Sequence, residues 1–285
     1  MPIYESRAPI DAEIDVSSSG HVEVVASERA DTTVEVTPTN PDRPGDVSLA
    51  REATVTFEHN RLRVRVPGRL KVLGPGRDSV DVHVELPAGS RAEIEASFGS
   101  VRVRGDLGTT RIVAKYGNVS ADRVGDLALV SPHGDVDISD VDGDLDVKAG
   151  HGHLRIGRVA GAARLRGSHG SLTLGLTESE VIVTTSGPLT IERALGDVTA
   201  RTAYGAIRVL EAGGGVLRLE SAYKEVEVGV PVGVAAWVDA FSGHGVVRSE
   251  LEPGPQADSD DRAVELHLRA NWADVLIRRA ERRGA

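Results

Sequence analysis

Between about residue 96 and residue 245, apolar and polar positions alternate in short runs, and the runs recur at a fixed distance. Gly stands at 99, 117, 134, 152, 170, 187 and 205, in steps of 17 or 18 residues. Two positions after each Gly come Val101, Val119, Val136, Leu154, Leu172, Leu189 and Ile207. Four positions after come Val103, Ala121, Ile138, Ile156, Leu174, Ile191 and Val209. The residues between them are mostly polar, as in Asp135 and Asp137 or Ser171 and Thr173. Period two with one apolar face predicts a short strand after every Gly. A second turn falls eight or nine residues later, at Gly108, Gly125, Gly143, Gly161, Gly196 and Gly214. It is followed by a second inward-facing strand, with Leu127 and Leu129, Leu145 and Val147, or Leu217 and Leu219.

Each unit is thus turn, strand, turn, strand in about 18 residues. One such unit cannot bury its own apolar face, so the units must stack. The predicted fold is all-β: a narrow parallel β-solenoid, β-helix-like, filled with aliphatic side chains. A meander of antiparallel hairpins is the structural alternative; it accounts for the half-repeat but not for the fuller identity at 18. Gly20 with Val22 and Val24 has the same phase, as has Ala273 with Val275 and Ile277. The organisation expected is residues 1–95 as an N-terminal β segment and cap continuous with the solenoid, 96–245 as regular repeats, and 246–285 as a C-terminal loop with capping strands. Alternating segments at Thr33–Val36, Ala53–Phe57, Arg61–Val66 and Val80–Leu86 add strands to the first third. Loops are expected at Pro38–Pro44, Pro67–Arg77 and Glu252–Asp261, and no long amphipathic helix stands out, Ile277–Arg283 being the one candidate.

Composition narrows the chemistry. The 285 residues hold 33 Lys plus Arg against 43 Asp plus Glu, a net charge of −10. That balance argues against nucleic-acid partners and against adsorption to an anionic membrane. With no Cys there is no disulfide, thiol nucleophile or thiolate metal site. Aromatics are 3% and Met is 1, so the core must be built from Val, Leu, Ile and Ala. No stretch approaches the roughly 18 apolar residues of a membrane span, and the start lacks a basic segment followed by an apolar run. The expected location is the cytoplasm, with the surface or envelope as alternative.

The residues resemble a known family. The run Val84-Glu85-Leu86-Pro87-Ala88-Gly89-Ser90 is followed by Phe98-Gly99-Ser100-Val101-Arg102-Val103, Tyr116-Gly117-Asn118-Val119 and His133-Gly134-Asp135-Val136-Asp137-Ile138. This succession is similar to the bacterial putative-adhesin β-strand-repeat family, over about residues 10 to 280. The resemblance implies a right-handed β-solenoid and no known catalytic residues, in a family whose members are often surface or envelope-stress proteins.

The residue before each repeat Gly forms the most distinctive column: Phe98, Tyr116, His133, His151, His169, Ser186 and Tyr204, then Tyr223 before Lys224 and Trp272 before Ala273. In a solenoid these rings stack along one edge as a structural ladder. A metal site on His133, His151 and His169, with His153 beside them, is the alternative; zinc requires nitrogens converging at about 2.1 Å, whereas ladder neighbours lie parallel. Asp135, Asp137, Asp140, Asp142, Asp144 and Asp146 form an acidic band, facing outward by alternation; a divalent-ion site there is the rival. Arg104-Gly105-Asp106 spells a tripeptide known from integrin ligands, a short match expected by chance in this composition. Outward Val113, Ala128 and Val130 call for a cover, the N-terminal segment or another chain.

No Gly-rich phosphate loop ending in Lys-Ser/Thr, His-Glu-x-x-His or Gly-x-Ser-x-Gly occurs. The expectation is a non-catalytic scaffold or binding protein without cofactor, with a protein or cell-envelope ligand. An exported surface adhesin or envelope-stress component is the first alternative, and a carbohydrate-active enzyme on a β-helix the second.

Overall fold

The computed structural model describes residues 3–6, 8–68, 78–252 and 263–280. The chain forms two compact units, Met1–Gly143 and Asp144–Ala285. Both are built from parallel β-coils of about 18 residues, as the period predicts.

In the first unit, β1 is Ile3–Glu5, β2 Asp11–Ser27, β3 Asp31–Pro38, β4 Thr54–Glu58, β5 Arg61–Val66, β6 Ser79–Pro87, β7 Arg91–Phe98 and β8 Val101–Leu107. Further coils are β9 Thr110–Tyr116 with β10 Val119–Val124, and β11 Leu127–His133 with β12 Val136–Val141. The predicted apolar positions lie in register across coils. Val22 pairs with Val101, Val101 with Val119 and Val119 with Val136. All four are at most 2% exposed. Identical phase in every coil turns each apolar position into a continuous column, which is why the period is so strict.

The spatial order of the coils departs from the chain order. The single long strand β2 supplies a whole coil. Its first half pairs with β5 on one side and β7 on the other, and its second half with β6 and β8. The first coil of the chain is therefore an inner coil, and β5 with β6 forms the outermost one. That outermost coil is sealed. β3 runs antiparallel along β6, and β4 antiparallel along β5. The β4–β5 turn is His59-Asn60, both with positive φ, as a two-residue hairpin with right-handed twist demands. β1 adds to β3, and Tyr4 stacks on Phe57 at 4.9 Å.

A helix, α1 (Pro44–Glu52), closes the core end. Pro stands in its first turn, where the missing N–H costs nothing, and Leu49 is fully buried. Buried Asp46 ties the helix down: its carboxylate accepts the Ser79 N–H at 3.1 Å and the Asn40 N–H at 3.2 Å. The sequence pattern does not predict this helix, because nine residues with one fully buried apolar side chain show no period. β3, β4 and α1 all lie against this one end of the coils. α1 packs on β3, β5 and β6, while Val113 and Val130 pair side by side, half buried, on the outer face of β9 and β11.

In the second unit, one column runs in register from Leu154 through Leu172, Leu189, Ile207 and Val226 to Val275. On the other face Leu145, Ala163, Val181, Val198, Leu217 and Leu266 align in the same way. Here too the chain order is broken. Strands Ala263–Ala270 and Val275–Arg279 pair directly with Gly215–Ser221 and Val226–Val230. Strands Ala235–Ser242 and Val247–Ser249, earlier in the chain, lie outside them. The phase predicted for Val275 and Ile277 holds, but their place is one coil inward. The helix candidate Ile277–Arg283 begins as strand instead: residues 275–279 are β, because Val275 and Ile277 continue the apolar columns. Its last residues, 281–283, lie outside the described residues, as do most of the loops expected at Pro67–Arg77 and Glu252–Asp261.

Candidate functional site

At the corner of each repeat Gly, neighbouring coils approach closely. A Cβ on Gly117 would stand 1.8 Å from the Gly99 carbonyl oxygen, and one on Gly170 1.8 Å from that of Gly152. Both have φ near +130° to +146°, which side chains rarely adopt. Gly at this corner thus lets the backbone stack on the preceding coil and turns the preceding residue outward.

Several of those outward residues stack on their neighbours in adjacent coils. In the first unit Phe98 stacks on Tyr116 at 5.2 Å and Tyr116 on His133 at 4.8 Å, with planes within 7°. These distances follow the ~4.8 Å separation of neighbouring strands. In the second unit His151 stacks on His169 at 5.1 Å, and Tyr204 on Tyr223 at 5.3 Å. Trp272 follows on the next coil, its backbone N–H donating to the Ala222 carbonyl at 3.2 Å. Trp272 stacks in turn on His244 at 3.9 Å. His244 is a ladder member the sequence reading passed over. The dipeptide His244-Gly245 repeats His133-Gly134, His151-Gly152 and His169-Gly170 and was the available signal.

A second column, not anticipated, holds the corner from inside. The buried Thr202 hydroxyl donates to the Gly187 carbonyl at 2.9 Å and accepts the Gly205 N–H at 3.1 Å. Ser221 does the same between Gly205 and Lys224, and Ser242 between Ala273 and Gly245. The hydroxyl replaces a backbone partner at the turn, and it does so for Lys224 as for Gly205 and Gly245. Ser131, three residues before Gly134, is buried with no partner for its hydroxyl; Ala114 fills the corresponding place one coil earlier.

The alternative sites take these forms. His151 and His169 lie face to face with planes 8° apart, so their nitrogens run alongside each other rather than toward one point. The His153 ring nitrogen Nδ1 bonds the Ser171 hydroxyl at 2.7 Å. Among the described residues no group of three His, Asp or Glu is placed to hold an ion. Asp135, Asp137, Asp142, Asp144 and Asp146 face solvent, and Asp140 is half exposed. Asp142 lies 3.8 Å from Arg123, and Asp144 accepts the Ala162 N–H at 2.9 Å. In the Arg-Gly-Asp tripeptide, Arg104 pairs with Glu23 at 3.2 Å and Asp106 with Arg123 at 3.7 Å, so both charges are engaged on the coil surface.

A cavity of about 190 Å³ lies over Asp11, Glu13, Arg61, Arg91 and Glu93. Its carboxylates are paired: Glu13 with Arg63 at 3.0 Å, Asp11 with Arg61 at 3.7 Å and Glu93 with Arg111 at 3.3 Å. The space is below the ~300 Å³ at which small-molecule sites begin. The strongest charge effect lies elsewhere. Glu85 accepts from Arg29 and from Thr33 Oγ1, and these bonds hold its carboxyl down at about 2. No helix among the described residues is long and apolar enough to cross a membrane.

The ladder is thus the feature that no cavity or ion explains. Tyr204, Tyr223 and Trp272 are 67%, 51% and 58% exposed. Stacking covers their faces in part and leaves a flat row of ring edges facing solvent.

No family model and no curated protein matches the chain. Solved structures similar to it include a putative adhesin from Parabacteroides distasonis, at 15% identity, 96% coverage of each chain and TM-score 0.40. Another is a putative cell adhesion protein from Clostridium sporogenes, at 9% identity, 98% coverage of each chain and TM-score 0.27. A third is a putative lipid binding protein from Parabacteroides distasonis, at 9% identity, with 98% of this chain and 96% of that one covered and TM-score 0.37. At such scores the chain's own surface must carry the functional argument.

Proposed function

We propose that this protein is a non-catalytic binding scaffold whose contact surface in the second unit is the ring ladder at Tyr204, Tyr223 and Trp272. The partner is a protein or a cell-envelope polymer long enough to lie along several coils. One observation carries this reading: three of the largest side chains in an aromatic-poor chain are more than half exposed in one column. Tyr and Trp offer large, rigid contact area at little entropic cost and dominate binding hot spots. Rings needed only for packing would be better placed inside.

The test is co-sedimentation of the protein with isolated peptidoglycan sacculi and, separately, with whole bacterial cells. Tyr204→Ser with Trp272→Ser should lower the bound fraction at least tenfold while moving the melting temperature by only a few degrees, since ring stacking contributes about 0.5–1.5 kcal/mol per pair. Wild-type binding that survives the double variant would leave the column as packing alone.

A further inference from the structure

The last coil of the second unit ends in an open edge. Strand Ala235–Ser242 pairs with Ala263–Ala270 on one side, and among the described residues no strand pairs with its other side. The apolar columns run out here. Val238 continues the column of Leu217 and Leu266, and Val247 that of Val226 and Val275. Yet Val238 is 37% and Val247 44% exposed, where Leu266 and Val275 are fully buried. On the outer face Trp237 and Phe241 are each 57% exposed. The outermost coil of the first unit, by contrast, is sealed by α1, β3 and β4. An unsealed parallel edge with an apolar end is a pairing template.

We propose that this edge is a two-fold interface with a second copy of the same chain, strand Ala235–Ser242 pairing antiparallel with itself about Asp239. The register is self-complementary. It sets Trp237 opposite Phe241 twice, an aromatic cross-strand pair, and Val238 opposite Ala240 in the core columns. The charges match as well. Each Asp239 is held by its own Arg269, Oδ1 to Nη1 at 3.0 Å and Oδ2 to Nη2 at 2.5 Å. Two carboxylates thus meet at the axis together with two guanidiniums. Residues 253–262 read PGPQADSDDR and 281–285 read ERRGA, without one large apolar side chain. A contact related by two-fold symmetry uses up both edges, so assembly stops at the dimer.

The 285-residue chain should sediment at twice its own mass of 30.1 kDa. The double variant Trp237→Glu with Phe241→Glu, at exposed positions, should sediment at the chain mass with its β circular dichroism unchanged. The chain lacks Cys, so a single Asp239→Cys should cross-link to a dimer under mild oxidation. Ala236→Cys should not, because position 236 faces 242. Wild type at the chain mass, a dimer that survives the double variant, or equal cross-linking at 236 and 239 would each overturn the proposal. The ladder reading is independent of it, because sacculus binding by Tyr204 and Trp272 does not involve this strand.

Discussion

Glu85 shows how one outward residue can matter on a solenoid whose other surface charges are traded between exposed neighbours. Most of the Arg–carboxylate pairs join side chains about half exposed and contribute little each. Glu85 sits where β3 crosses β6 and takes bonds from Arg29 and Thr33 together. Its carboxyl is lowered from 4.5 to about 2. A depressed carboxylate contributes stability that is whole above the unfolded value and fades as pH falls from about 4.5 to about 2. Since the group is one-third exposed, Glu85→Gln should cost only about 1 kcal/mol at neutral pH. The gap between wild type and variant should close by pH 2 in urea titrations. A gap of equal size at pH 7 and pH 2 would show that the ionised carboxylate is not its source.

Among the elements, α1 is the one whose function rests on a single side chain. Two turns of helix with little apolar surface do not persist alone. Asp46 supplies the missing attachment by accepting the Ser79 and Asn40 N–H groups. Asp46→Ala removes the partner of the half-buried Ser79 N–H and of the exposed Asn40 N–H and should lower stability by about 1 kcal/mol. Hydrogen exchange should quicken first in 44–52 and along β3, with the inner coils unaffected. Uniform destabilisation without that local signature would mean that the helix is not a separate closing element.

At the scale of each whole unit, a terminal segment is placed one coil inward. β2 is clasped by β5 and β6 on one side and by β7 and β8 on the other. Residues 263–279 are clasped in the same way between two coils, so neither segment is left at an edge to fray. Ending the chain at residue 250 would remove Leu266, Leu268, Val275 and Ile277, all fully buried. At about 1.5–3 kcal/mol for each buried side chain, the loss approaches the whole stability of a typical domain. The truncated protein should aggregate and lose its cooperative melting transition, as followed by light scattering and calorimetry. A truncated chain that melts like the full length would show that strand 235–242 needs no inner partner.

The sequence alone determined the coil. Fourteen apolar positions at a fixed phase after seven glycines dictate both the inward face and the stacking, because only in-register columns bury them all. The ring ladder was legible for the same reason, since it is a fixed offset from a glycine that the backbone contact requires. The hydroxyl column was written in Thr202, Ser221 and Ser242, but its meaning depends on which carbonyl lies within reach. The order of the coils was beyond the sequence. Val22, Val101, Val226 and Val275 have interchangeable phases, so periodicity cannot say which coil sits beside which. That choice was made by the tertiary structure, through the turn at His59-Asn60, the antiparallel lids β3 and β4, the buried carboxylate of Asp46, and the burial gained when each terminal segment is covered on both sides.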